Sequence, residues 1–212
     1  MKSIISSLVV ATCVGVALVA GAVHAASPPF RVRSLPGWSQ CLLDVMYTGY
    51  LPVNDTFGSS LFYWMAEARS PAPTAEETPV VLWLQGGPGC SGGLGWFYEN
   101  GPFSLNADLT LSYNQYSWNK HAHLLFIDQP IGTGLSTGQA GVNASLPTTI
   151  GQSTAQLYTA LKAFYQQFPQ LRKNPMYITG ESYASAHTTQ QTAWSGVIAH
   201  KVAHGVSAGF VS

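Results

Sequence analysis

Charge is what this sequence has least of. Nine Lys or Arg and nine Asp or Glu in 212 residues make charged residues 8% of the chain, where about 25% is usual. The formal net charge is zero. No electrostatic case exists for a nucleic-acid partner or an anionic membrane surface. Cysteine is equally sparse, at three residues. Internal repeats and long low-complexity stretches are missing as well. With 46% apolar residues, the chain has the material for one ordinary domain with a sizeable core.

One long apolar run is present. It extends from Ile4 to Val23 behind Lys2 and leads into Val23-His24-Ala25, with small residues three and one before a cut after Ala25. A spanning anchor of that length is the competing reading. The Ala- and Gly-rich run and its cleavable end favour a signal peptide over residues 1–25, which places the mature protein in the secretory pathway, extracellular or lysosomal/vacuolar. No later run is long enough to span a bilayer, so no membrane association is expected after cleavage. Cys13 would leave with the peptide, and oxidising conditions then permit a Cys41–Cys90 disulfide. Two glycosylation sequons, at Asn54 and Asn143, fit the same route.

Residues 59–67 read as an aromatic strand, and 70–79, rich in proline and acid, as an exposed connection. Val80–Leu84, His123–Ile127 and Met176–Thr179 are short continuous apolar runs, the pattern of strands buried on both faces. Between the last two, residues 150–168 place Leu157, Leu161, Phe164 and Phe168 on one helical face, closed by Pro169. Buried strands alternating with amphipathic helices predict an α/β domain with a largely parallel sheet, whose sites form at the carboxyl ends of the strands.

Two motifs stand at those ends. Gly180-Glu181-Ser182-Tyr183-Ala184 follows the third strand. It fits a nucleophile elbow, in which a serine is exposed on a sharp strand-to-helix turn, and equally a turn capped by serine. Gln85-Gly86-Gly87-Pro88-Gly89-Cys90-Ser91 follows the first, ahead of a helical stretch from Leu94 to Asn100. Its glycines let backbone N–H groups approach a developing oxyanion. A phosphate loop is the alternative, but no Lys-Ser/Thr follows and Pro88 removes an N–H. Asp128-Gln129-Pro130 also ends a strand; catalytic acids in this architecture follow the serine, so a structural turn is expected there.

WLQGGPGCSGG, FYENGPFSL, YSWNKHAHLLFIDQPIGTGLS and GESYA, in that order and spacing, resemble the serine carboxypeptidases, which are α/β-hydrolases. With Gln85 and the YTGYLPVN segment, the likeness is greatest to the vitellogenic-like carboxypeptidase branch. The resemblance covers about residues 45–184 of an N-terminal portion spanning 26–184. It implies release of C-terminal amino acids from peptides through an acyl-enzyme, without cofactor or metal. Ser182 would be the nucleophile, with the backbone amides of Gly87 and Tyr183 as oxyanion donors. Gln85, Glu99 and Glu181 would hold the substrate carboxylate, with Trp83 in support. Gln85 stands where the family usually has Asn, one methylene shorter, so altered recognition is expected. Two buried glutamates close together cannot both ionise cheaply; a shared proton would let them hydrogen-bond an incoming carboxylate, and an acidic optimum follows. For intact relatives the resemblance allows a homodimer. In the family the Cys90 position pairs with a distant cysteine, which implies a free thiol here.

The likeness fades after Ala184, and residues 185–212 form a divergent tail. Residues 183–212 contain no Asp or Glu, whereas the triad order of this fold is Ser, then acid, then His. His187, His200 and His204 are present without that acid. The chain is therefore expected to be a fragment lacking its triad partners and inactive as written. An acyltransferase of the same family and a non-catalytic secreted protein are the alternative functions.

Overall fold

The structure, a computed structural model, describes residues 28–54, 56–138 and 146–184. The signal segment, Cys13, Asn143, the tail 185–212 and its histidines lie outside the described residues. Among the described residues there are eight strands: β1 (Phe30–Val32), β2 (Met46–Asn54), β3 (Ser59–Ala66), β4 (Val80–Leu84), β5 (Phe103–Leu105), β6 (Leu111–Tyr113), β7 (His123–Ile127) and β8 (Met176–Gly180). A short helix, α1 (Gly92–Leu94), widens into a π-helix at Gly95–Glu99, and the long helix α2 spans Ile150–Gln167.

Six strands make one sheet in the order β1-β2-β3-β7-β4-β8, while β5 and β6 form a separate hairpin. Parallel pairing, expected over most of the sheet, is confined to β7, β4 and β8. β1, β2 and β3 extend it as an antiparallel meander joined to β7, so the sheet is mixed. The difference follows from connection length: only positions 55–58 join β2 to β3, and a connection that short gives antiparallel neighbours.

Alternation along β4 sorts its side chains between two layers. Val80, Leu82 and Leu84 are fully buried and pack with Leu157, Leu161 and Phe164 of α2. Val81 and Trp83 point the other way, into a cluster around Trp96, Phe103 and Phe126 under the π-helix. One face of β4 is thus fully covered and the other half-covered, rather than both being sealed. α2 starts where Thr149 accepts from the Gln152 amide at 3.2 Å, a side-chain cap. Its predicted apolar face is the buried one, including Phe168 just past its end. Tyr165, on the same helix, has its hydroxyl pushed up to about 12 by burial.

The segment 70–79 is exposed for the most part, as expected, but Thr78 is buried. Among the described residues, no helix is long and apolar enough to cross a membrane. Cys41 and Cys90 are both free, the first exposed and the second partly buried, so the disulfide that the sequence permits is not formed.

Candidate active site

The register of β4 and β8 builds the site. Leu84 pairs with Gly180 as the last matched residues, and the Glu181 amide donates onward to the Leu84 carbonyl at 3.3 Å. The next residues, Gln85 and Glu181, therefore stand side by side. Two-residue alternation aims them to the same face as Trp83 and Thr179. Gln85 Nε2 donates to Glu181 Oε1 at 2.8 Å and to Glu99 Oε1 at 3.0 Å. Trp83 Nε1 donates to Gln85 Oε1 at 3.0 Å, which fixes the amide with its two N–H groups toward the carboxylates. Trp118 braces Trp83 edge-to-face at 5.3 Å.

Glu99 reaches this cluster because the helix after Ser91 loosens. Asn100 and Gly101 both donate to the Gly95 carbonyl at 3.1 Å, so the last turn is a π-turn, a frequent feature of functional sites. Gly95 has no room for a side chain: a Cβ would lie 2.7 Å from the Trp83 ring and 2.8 Å from Phe126. The sequence suggested a helix from Leu94 to Asn100; the helical stretch runs two residues earlier because Ser91 caps it, accepting from the Gly93 amide at 3.0 Å.

Ser182 itself is exposed, with φ at +52°. A serine in the left-handed region carries strain that the surrounding structure must hold. Small residues on either side make the turn fit. A Cβ on Gly180 would fall 2.5 Å from the Leu84 carbonyl and 2.7 Å from the Ala184 Cβ. One on Gly86 would fall 2.8 Å from the Ser182 Cβ and 3.2 Å from its Oγ. The glycine loop thus rests directly on the elbow. Gly87 follows at φ +113° and Gly89 at +88°, and the Cys90 amide closes the loop on the Gly86 carbonyl at 3.2 Å.

Asp128 is buried and fully engaged. Its Oδ1 accepts from Ser91 Oγ and the Gly92 amide, both at 2.7 Å, and its Oδ2 from the Leu135 amide at 2.8 Å. Both oxygens hold backbone in place, which is the structural turn expected of it. Sequence reasoning did not find the Ser91–Asp128 pair, since nothing in spacing alone joins residues so far apart. Among the described residues, the two histidines, His121 and His123, stand at the start of β7, the end of the sheet opposite Ser182.

One expectation is corrected. Glu99 and Glu181 are exposed, not buried, and the Gln85 amide, itself 5% exposed, stands between them rather than a shared proton. Each carboxylate takes one N–H, and the pair is bridged by a neutral donor.

A profile of the serine carboxypeptidases matches residues 36–191. The chain belongs to this family. Carboxypeptidase sxa2 of Schizosaccharomyces pombe is 45% identical over 163 residues, 76% of this chain and 30% of that protein. A Mus musculus protein named "Probable serine carboxypeptidase CPVL" is 41% identical over 157 residues, 74% of this chain and 31% of that one. Among solved structures, a prohormone-processing carboxypeptidase of Saccharomyces cerevisiae superposes with a TM-score of 0.63 at 28% identity, over 73% of this chain and 35% of that one. The fold is that of this serine carboxypeptidase. The chain spans about a third of the length of these relatives.

Proposed function

We propose that this chain is the nucleophile-bearing part of a serine-type carboxypeptidase, with Ser182 as nucleophile. Ser182 Oγ attacks the carbonyl of the last peptide bond, and the amides of Gly87 and Tyr183 receive the developing oxyanion. The terminal amino acid leaves, and water then releases the acyl group from Ser182. Turnover at a useful rate needs a histidine base and an acid to orient it.

The observation that carries this reading is the bridge from Gln85 to Glu99 and Glu181, one residue from Ser182 on one side and from Gly86 on the other. An endopeptidase has no use for such a carboxylate-and-amide cluster beside its serine. A carboxypeptidase does, because an incoming C-terminal carboxylate can bind there once a proton is added. The experiment uses a protein that carries these residues together with the histidine base and acid, and reads release of leucine from a blocked dipeptide ending in a free carboxylate. Release that Ser182→Ala removes, with the C-terminal amide left uncleaved, supports the proposal. Release unchanged by Ser182→Ala, or equal cleavage of the amide, overturns it.

The segment 1–25 supports entry into the secretory pathway with cleavage after Ala25, toward the extracellular space or a lysosomal/vacuolar compartment. Glycosylation at Asn54 and Asn143 belongs to the same proposal. Asn54 ends β2, and its Oδ1 accepts from the Thr56 and Phe57 amides at 3.0 and 3.3 Å. N-terminal sequencing of the secreted protein and a mass shift on glycosidase treatment test it; a mature chain beginning at Met1, with no shift, refutes it.

A further inference from the structure

The π-turn that carries Glu99 is held from outside. An ordinary α-turn would pair the Asn100 amide with the Trp96 carbonyl, four residues back; here Asn100 and Gly101 both reach Gly95. Such bulges are rare. A turn that relaxed by one residue would carry the Glu99 side chain around the helix axis, away from Gln85. The carbonyls from Glu99 to Pro102 are all taken by other segments. Asn114 Nδ2 donates to the Gly101 carbonyl at 2.9 Å and to the Glu99 carbonyl at 3.5 Å. The Asn100 carbonyl accepts from Ser117 Oγ at 2.9 Å and from the Trp118 amide at 3.0 Å. The Pro102 carbonyl accepts from the Asn114 amide at 2.9 Å.

These donors belong to one short loop, and that loop is fixed in turn. Arg69, just past β3, donates from Nη1 to the Asn114 carbonyl at 2.7 Å and from Nη2 to the Pro102 carbonyl at 3.3 Å. Asp44 locks its guanidinium, accepting from Nε at 2.7 Å and from Nη2 at 3.1 Å. A fork held at both carboxylate oxygens has one geometry. The Asp44 side chain is fully buried and also accepts from Asn119 Nδ2 at 2.8 Å, so both ends of the loop meet at this pair. Asn114 Oδ1 accepts from the Tyr116 amide at 2.9 Å, which leaves Nδ2 as the end that faces Glu99 and Gly101.

We propose that Asn114 is a positioning residue for the substrate's terminal carboxylate: it fixes the backbone of Glu99 so that this side chain stays against the Gln85 amide, and Arg69 fixes Asn114. The inference rests on the carboxypeptidase reading above. Glu99 is exposed, so packing does not hold its side chain, and the placement of its backbone decides whether Oε1 reaches Gln85 at 3.0 Å. The proton that admits a carboxylate sits on Glu99 or Glu181, so a Glu99 turned away withdraws one of the two places for it. The same loop carries Trp118, which braces Trp83. Both the amide and its carboxylate partner are thus set from one loop.

The test reads the affinity of this chain for acetyl-Phe-Leu, as the free acid and as the C-terminal amide, by titration calorimetry, with melting temperature measured alongside. Asn114→Ala removes the donor to Glu99 and Gly101. The parent's preference for the free acid is expected to fall about tenfold, the worth of one neutral hydrogen bond, while affinity for the amide changes less than about twofold. Ser117→Ala, which removes one of the two donors to the Asn100 carbonyl, should lower the preference about threefold, and it decides the matter where Asn114→Ala does not fold. Neither change adds charge, so repulsion of the peptide cannot imitate the effect. A preference kept at the parent's level in the folded variants, or equal losses for acid and amide, overturns the positioning role. A parent chain that binds acid and amide alike, or binds neither, overturns the carboxypeptidase reading and this inference with it.

Discussion

Gln85 and Glu181 sit on neighbouring parallel strands one residue past the last matched pair, joined by a 2.8 Å hydrogen bond. Their contact is a product of register: slipping β8 by one residue would turn Glu181 to the α2 face and place Ser182 where it stands. The pairing of Leu84 with Gly180 therefore positions the carboxylate cluster and Ser182 together.

Trp83 should act on substrate binding through Gln85. Without its Nε1–H, the amide is free to turn its oxygen toward a glutamate. Trp83→Phe is expected to raise KM for free-acid peptides by about tenfold, the worth of one neutral hydrogen bond, with kcat nearly unchanged. Equal changes in KM for free-acid and amidated substrates would contradict this positioning role.

Free-acid peptides should bind more tightly to a Glu99→Gln variant. Both hydrogens of Gln85 Nε2 are already given to Glu99 and Glu181, so a third carboxylate finds no free donor on that amide, and an amide at position 99 supplies one in place of a like charge. A Glu99→Gln variant that binds free-acid peptides no better than the parent would refute it.

Gly180→Ala should destabilise the fold rather than merely the chemistry. The added methyl meets the Leu84 carbonyl at 2.5 Å, a backbone atom that cannot rotate away. A loss of about 1–3 kcal/mol is expected in denaturant melts. Adding Ala184→Gly should leave most of it in place, because only the 2.7 Å contact with the Ala184 Cβ is relieved.

Asp128→Asn should lower stability by about 1.5–3 kcal/mol, since hydrogen bonds to a charged acceptor are lost and an NH2 is pressed against backbone donors. Thermal melts would register it at once, and an unchanged melting temperature would show that the three bonds contribute little.

Burial holds the His123 imidazole below its ordinary value of 6.5, and Nδ1 accepts from the Ala68 amide at 3.4 Å. The unfolded chain therefore binds the proton more readily than the folded one. Stability should fall as pH drops through the ordinary value toward the lowered one, and level off below it. Comparing urea midpoints at about pH 7.5 and about pH 5.5 checks this, with His123→Gln expected to reduce the difference.

The strands that carry the chemistry were legible because their signals are local. Val80–Leu84 and His123–Ile127 are continuous apolar runs, and α2 has a capped, periodic face. β2 was not legible. It contains Gly49 and Pro52, has a register shift between Pro52 and Asn54, and buries only Met46 and Leu51; its strand state comes from pairing with β3, not from its own pattern. The hairpin of β5 and β6 is too short to have a period at all. At the site, the motifs singled out Ser182, Gln85, Glu99 and Glu181, which the structure brings together, but the exposure of the two glutamates is set by tertiary packing, and no spacing in the sequence states that.

The Ser91–Asp128 attachment has a consequence for the glycine loop. The loop leaves β4 at Gln85, whose side chain is held at three points, and ends at Ser91, tied to the end of β7. Five residues, Gly86 to Cys90, thus hang between two moorings, like a short cable whose slack is set when the sheet forms. The loop's amides are thereby held in position before anything binds, and a change that loosened either mooring would let the loop shift without touching Ser182.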